Sequence, residues 1–162
     1  MRVNSSVEVA ASRSAVWKVI SDPQQYLRFM SGVTRWEIVG DQDRGLGTRI
    51  RLLVRIGSAE VGGLIEVVEW EEERDIAASS VLGLDQRVRW RLRDAPSGLT
   101  RVELRYAYGV AGGGIAGMIA ERVSAPMLRR HMRRSLAQLK TLVEQEQHRA
   151  RSAERRAQTA AS

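Results

Sequence analysis

The sequence predicts an α+β domain: a curved antiparallel sheet of about seven strands around one long C-terminal helix, with two short helices after the first strand. Three observations carry this. Residues 3–10, and then the stretch from Thr34 to Tyr108, alternate apolar and polar side chains with period two. The segment 115–147 instead places Met118, Leu128, Met132, Leu136, Leu139 and Val143 near one stripe at helical spacing. The only element long enough to cover the dry face of such a sheet is that last helix.

Taken in order, Val3 to Ala10 reads as a strand. Ser12 or Ser14 can cap a short helix carrying Val16, Trp17 and Ile20 on one side. Asp22-Pro23 stops it and starts a second short helix, with Pro23 at the first position and Gly32 at the end. Next come a strand centred on Thr34, Trp36 and Ile38, and another in which Ile50, Leu52, Val54 and Ile56 alternate with arginines. Residues 60–70 form a strand that can host a bulge at Gly62-Gly63, and residues 75–82 a weaker one. Arg87 to Arg93 gives the clearest alternation, with the arginines on one face and Val88, Trp90 and Leu92 on the other. Ala95-Pro96-Ser97-Gly98 turns the chain into a last strand, Thr100 to Tyr108. A glycine-rich stretch, 109–117, then leads into the long helix, which Pro126 should kink. Apolar periodicity ends at 147, so 1–147 reads as one domain and 148–162 as a basic, disordered tail.

The chain has 162 residues, 43% of them hydrophobic, which suffices for one domain with its own core or an internal cavity. With no Cys, a disulfide scaffold, a thiolate zinc site and a cysteine nucleophile are excluded. No apolar run approaches bilayer length and no signal peptide is evident, so a cytoplasmic location is expected. The net charge of +7 invites nucleic acid, but the basic residues are almost all Arg and are spread over sheet and tail rather than clustered. No specific nucleic-acid partner is therefore expected.

Several stretches resemble the START-like (SRPBCC) superfamily, and within it the polyketide cyclase/dehydrase family. They are Val7-Glu8-Val9, Ala15-Val16-Trp17, Ile20-Ser21-Asp22-Pro23, Tyr26, Gly32-Val33 and Gly45-Leu46-Gly47-Thr48. Gly98 to Val102, Gly112-Gly113, and Leu136 to Leu139 with Glu144 complete the set, over residues 3–146. The resemblance implies a helix-grip (START/Bet v 1-like) fold with a cavity for an apolar small molecule, lipid or polyketide-like. Family members include proteins that cyclise or dehydrate polyketides, lipid carriers, and many with no assigned activity, so the resemblance does not fix a reaction; an alternative for this chain is a cyclase or dehydratase that uses pocket acid–base groups without a cofactor.

The inward face then nominates the ligand-binding residues: Trp36, Ile50, Leu52, Val54, Ile65, Val67, Val88, Trp90, Leu104, Tyr106, Tyr108, Met118, Met132 and Leu136. Candidates for acid–base work are Glu69, His131, Tyr106 and Tyr108. Glu69 enters on parity. It lies an odd number of residues from Glu66, so without a bulge one faces in, and Glu69 belongs to the less charged register. His131 and His148 would lie on the order of 25 Å apart on a straight helix, so no metal site is expected from them. Gly112 to Gly117 matches a dinucleotide-binding pattern but lacks the second strand and the acidic residue that pattern needs, so no cofactor is expected. The same stretch could instead gate a pocket mouth. The Arg-rich outer face could meet an acidic protein or an anionic membrane, and whether the chain is a monomer or a homodimer is open.

Overall fold

The structure, a computed structural model, describes residues 1–109 and 115–160, without the side chains of 115–124. Seven strands are β1 (Arg2–Val9), β2 (Val33–Val39), β3 (Arg49–Ile56), β4 (Ala59–Glu71), β5 (Asp75–Gly83), β6 (Asp85–Ala95) and β7 (Leu99–Gly109). They form one sheet in the order β1-β7-β6-β5-β4-β3-β2, antiparallel at every step. The sheet curls into a half-barrel around α3 (Ile115–Ala160). Between β1 and β2 lie α1 (Arg13–Ile20), a 3-10 turn (Pro23–Gln25) and α2 (Tyr26–Phe29). This is the helix-grip architecture expected from the sequence.

Local chemistry sets the boundaries. Ser12 caps α1, its hydroxyl accepting from the Ala15 N–H at 3.2 Å. Asp22 caps the 3-10 turn through the Gln24 N–H at 3.0 Å, with Pro23 where its missing N–H costs nothing. Helix α3 buries Leu128, Met132, Leu136, Leu139 and Val143 along one stripe. They join Val9, Leu92, Val102 and Leu104 of the sheet in the core. Each such side chain contributes about 1.5–3 kcal/mol on burial. A polar clamp ties α3 to β1: Glu144 accepts from the Ala10 N–H at 2.8 Å and from Lys140 at 2.7 Å, and Lys140 also donates to the Glu8 carbonyl at 2.8 Å.

Two expectations change. The bulge anticipated at Gly62-Gly63 is absent from the β3–β4 ladder, which runs in register through both glycines. They serve close approach instead, since a Cβ on either would stand 2.0 Å from a neighbouring carbonyl oxygen, that of Leu52 or Leu82. The bulge in β4 falls further along, between Val67 and Glu69, and leaves Val68 exposed. Helix α3 also runs through Pro126 and past residue 147 to Ala160. Residues 148–160 are almost all exposed, yet Ala, Arg, Glu and Gln extend an existing helix readily because nucleation has already occurred. The expected hinge and gate at the glycine-rich stretch fall mostly on 110–114, outside the described residues.

Candidate functional site

Among the described residues two small voids lie against the inner face of the sheet, the first beside the end of α1, the 3-10 turn and α2, the second beside α2 and α3. The first, about 30 Å³, is walled by Ile20, Ser21, Pro23, Tyr26, Trp36, Gly45, Thr48, Ile50, Ile65, Val67, Trp70, Ile76, Ala78, Val88 and Trp90. The second, about 40 Å³, is walled by Tyr26, Met30, Ser31, Val33, Trp36, Leu52, Val54, Val88, Trp90, Leu104, Tyr106, Leu128, His131, Met132 and Ser135. Tyr26, Trp36, Val88 and Trp90 belong to both walls, so these four side chains are the partition. Tyr26 stacks on Trp36 at 4.1 Å between ring centroids and 5° between planes, and meets Trp90 edge-on at 6.2 Å.

The partition rests on slender supports. Trp36 sits on β2, which is an edge of the sheet and pairs only with β3. Tyr26 opens a helix of four residues, and its buried hydroxyl donates to the Ile20 carbonyl at 2.7 Å. Burial pushes the Tyr26 phenol well above the ordinary tyrosine value, and the Asp22 carboxylate adds to this.

Two polar clusters meet the voids. Around the second, His131 Nδ1 lies 3.1 Å from Ser31 Oγ, and the Ser31 N–H donates to Ser135 Oγ at 2.8 Å. Burial holds His131 below the ordinary imidazole value. Its hydrogen bond to the Arg55 backbone opposes this, and the charges of Arg134 and Arg130 reinforce it. Tyr106 donates to Gln86 Oε1, and burial raises its phenol in the same way as that of Tyr26. Thr48 Oγ1, on the wall of the first void, and Trp36 Nε1, on the partition between the two, are buried without a hydrogen-bond partner among the described residues. An unpaired buried group costs about 1–3 kcal/mol.

Most of the nominated wall residues come together here. Ile50, Ile65 and Val67 line the first void, and Leu52, Val54, Leu104, Tyr106 and Met132 the second. Leu136 and Tyr108 are buried core residues outside both walls; the Tyr108 hydroxyl lies 3.5 Å from Met1 Sδ. The Met118 side chain is outside the described residues. Glu69 is corrected: the bulge before it resets the parity, and it faces out with Glu66. There it pairs with Arg87 and Arg89, so it cannot reach a ligand in the interior. The outer arginines are held by shared carboxylates, Asp75 bridging Arg89 and Arg91, and Glu103 bridging Arg101 and Arg105. Each exposed pair contributes ~0–1 kcal/mol.

Sequence reading missed Tyr26, Ser31, Thr48 and Ser135 as wall residues. Tyr26 had a signal, an aromatic in a helix too short to bury it by itself. Ser31 and Ser135 act through contacts between distant segments, and Thr48 through a hydroxyl left without a partner, and no local pattern records either.

A curled sheet, a gripping helix and an apolar interior with few polar groups narrow the identity, and comparison completes it. Residues 1–144 match the family described as polyketide cyclase/dehydrase and lipid transport. The chain belongs to that family. No curated protein matches the sequence. Solved structures share the fold. The TTHA0849 protein of Thermus thermophilus superposes with a TM-score of 0.75 at 20% identity, over 88% of this chain and 97% of that one. The Zhui aromatase/cyclase of Streptomyces sp. R1128 gives 0.72 at 20% identity, over 89% and 93%. A START superfamily protein of Mycobacterium smegmatis gives 0.66 at 20% identity, over 89% and 97%. This polyketide cyclase/dehydrase family member thus has a ligand-binding fold, and among its described residues no helix is long and apolar enough to cross a membrane.

Proposed function

We propose that the protein encloses a hydrophobic or aromatic small molecule, lipid or polyketide-like, between the sheet and α3. The shared aromatic partition carries this reading. Two voids of about 30 and 40 Å³ hold no more than a few waters each, whereas ligand sites typically span ~300–1,000 Å³. Swinging the Tyr26–Trp36 pair aside joins the voids into one chamber running from Thr48 to His131. The pair stands on an edge strand and a one-turn helix, the elements that can move at least cost to the sheet. Burial of ligand surface at ~25 cal/mol per Å² drives the exchange of side chain for guest.

Titration with the neutral fluorescent probe N-phenyl-1-naphthylamine tests it. Saturable one-to-one binding is expected, weakened at least ~10-fold by Val88→Phe, which fills the junction. A protein that takes no probe, or that takes it equally well when carrying Val88→Phe, refutes an internal site.

A second reading, a cofactor-independent cyclase or dehydratase, is favoured by one observation: His131, whose pKa burial holds below the ordinary imidazole value, lies on the wall beside Ser31. His131→Gln should then abolish turnover of a polyketide-like substrate while the probe still binds. Unchanged turnover would remove His131 from the chemistry.

A further inference from the structure

We infer that Thr48 and Trp36 form an end-group site that takes a neutral carbonyl oxygen of the bound aromatic ligand. This rests on the interior being a ligand chamber and names the group that its inner end recognises. Among the described residues polar side chains are few on the wall of the first void, and three of them are already engaged, the Trp70 indole N–H donating to Glu72 Oε2 at 3.1 Å. The Tyr26 hydroxyl donates to the Ile20 carbonyl at 2.7 Å, and Ser21 Oγ accepts from Arg44 at 2.9 Å. Trp36 Nε1 and Thr48 Oγ1 are buried on the same wall and have no partner among the described residues.

Thr48 is held so that its hydroxyl finds nothing local. Its N–H donates to the Gly45 carbonyl at 3.2 Å, and its own carbonyl accepts from the Val67 N–H at 2.9 Å, which fixes the backbone on both sides. An indole N–H can only donate, and a threonine hydroxyl can rotate to donate into the void that both residues line. Two donors call for one acceptor with two lone pairs, and a carbonyl oxygen has them. Among the described residues no charged side chain lines this wall, so a carboxylate or phosphate would enter desolvated and unpaired. The acceptor is therefore a neutral ketone, quinone or ester oxygen. The rings of Trp90 and Tyr26 on the same wall suit an aromatic frame carrying it.

The test uses two near-isosteric probes, 2-acetonaphthone and 2-isopropenylnaphthalene, which differ by C=O against C=CH2. Affinities are measured by calorimetry, and the Trp36 Nε1–H resonance is followed in ¹⁵N-labelled protein, assigned with Trp36→Phe. The ketone is expected to move that resonance further downfield than the alkene does. Thr48→Val should weaken the ketone ~5–10-fold and change the alkene by less than about twofold, with Thr48→Ser restoring ketone affinity. Both probes binding with the same Nε1–H response and no dependence on Thr48 overturns the carbonyl site and leaves the chamber standing. A water that stays between the two groups with the ketone bound does the same. If neither probe binds, the chamber itself fails and the inference falls with it.

Discussion

Gly32→Ala probes the contact on which the second void's polar wall depends. Gly32 has φ +81°, a left-handed conformation that costs an alanine about 1–2 kcal/mol. A Cβ there would stand 2.7 Å from Cε1 and Nδ1 of the His131 ring, against about 3.4 Å for ordinary contact. The ring would have to retreat, and it is pinned by Ser31 at 3.1 Å and by the Arg55 backbone. Losing or stretching two hydrogen bonds of ~0.5–1.5 kcal/mol each adds about 1–3 kcal/mol. The substitution should therefore destabilise by roughly 2–5 kcal/mol in urea unfolding, or lower Tm by roughly 4–20 °C for a chain of this size.

The steric part separates from the backbone part in a double-mutant cycle. In a His131→Ala background the ring is gone, and Gly32→Ala should cost only the ~1–2 kcal/mol of backbone strain. The coupling between the positions should then be about 1–3 kcal/mol. Equal cost in both backgrounds, within ~0.5 kcal/mol, would mean that the ring is not clamped over Gly32 and that the wall is built differently.

Three further outcomes follow from the same geometry. Because burial lowers the His131 pKa, the unfolded chain binds that proton more readily; stability should fall as pH drops below the ordinary value near 6.5, and His131→Gln should flatten this part of a pH–Tm profile. Glu144 is held below its ordinary 4.5, chiefly by the Lys140 hydrogen bond, so its contribution is present above that value and lost as pH falls further; Glu144→Gln should remove that acid limb and speed hydrogen exchange at the Ala10 amide. Glu69→Gln should leave probe binding within about twofold, since its charge meets Arg87 and Arg89 outside the chamber; a larger loss would return Glu69 to the site.

What the sequence made legible follows a physical rule. The period-two register of β3, β6 and β7 and the stripe on α3 are each repeated over several residues, so the facing of Ile50, Trp90, Leu104 and Met132 could be read directly. Glu69 failed because parity counts only as far as the next bulge. One extra residue, Val68, reverses the facing of everything after it, and nothing in Val67-Val68-Glu69 marks the place. Thr48 and Ser31 were invisible for another reason. Each owes its role to a partner more than ten residues away or to having none, and local pattern carries neither fact.

The two ends of the interior are unlike, and that difference bears on how a guest would sit. At one end His131, Ser31 and Ser135 satisfy each other and knit α3 to the loop before β2. At the other end Thr48, and at the partition Trp36, each leave a buried polar atom without a partner among the described residues. A chain selected only for stability would replace Thr48 with Val, which is nearly isosteric and removes a buried hydroxyl. The unsatisfied donors and the proposed partition thus meet at one side chain: Trp36 is half of the stack with Tyr26 and also carries one of the unpartnered polar atoms. A guest that moves Trp36 off Tyr26 and gives its N–H an acceptor would offset the lost stacking of about 0.5–1.5 kcal/mol with a hydrogen bond of similar size. Opening and recognition are then one event, and an apolar guest without an acceptor would open the same door at a net cost.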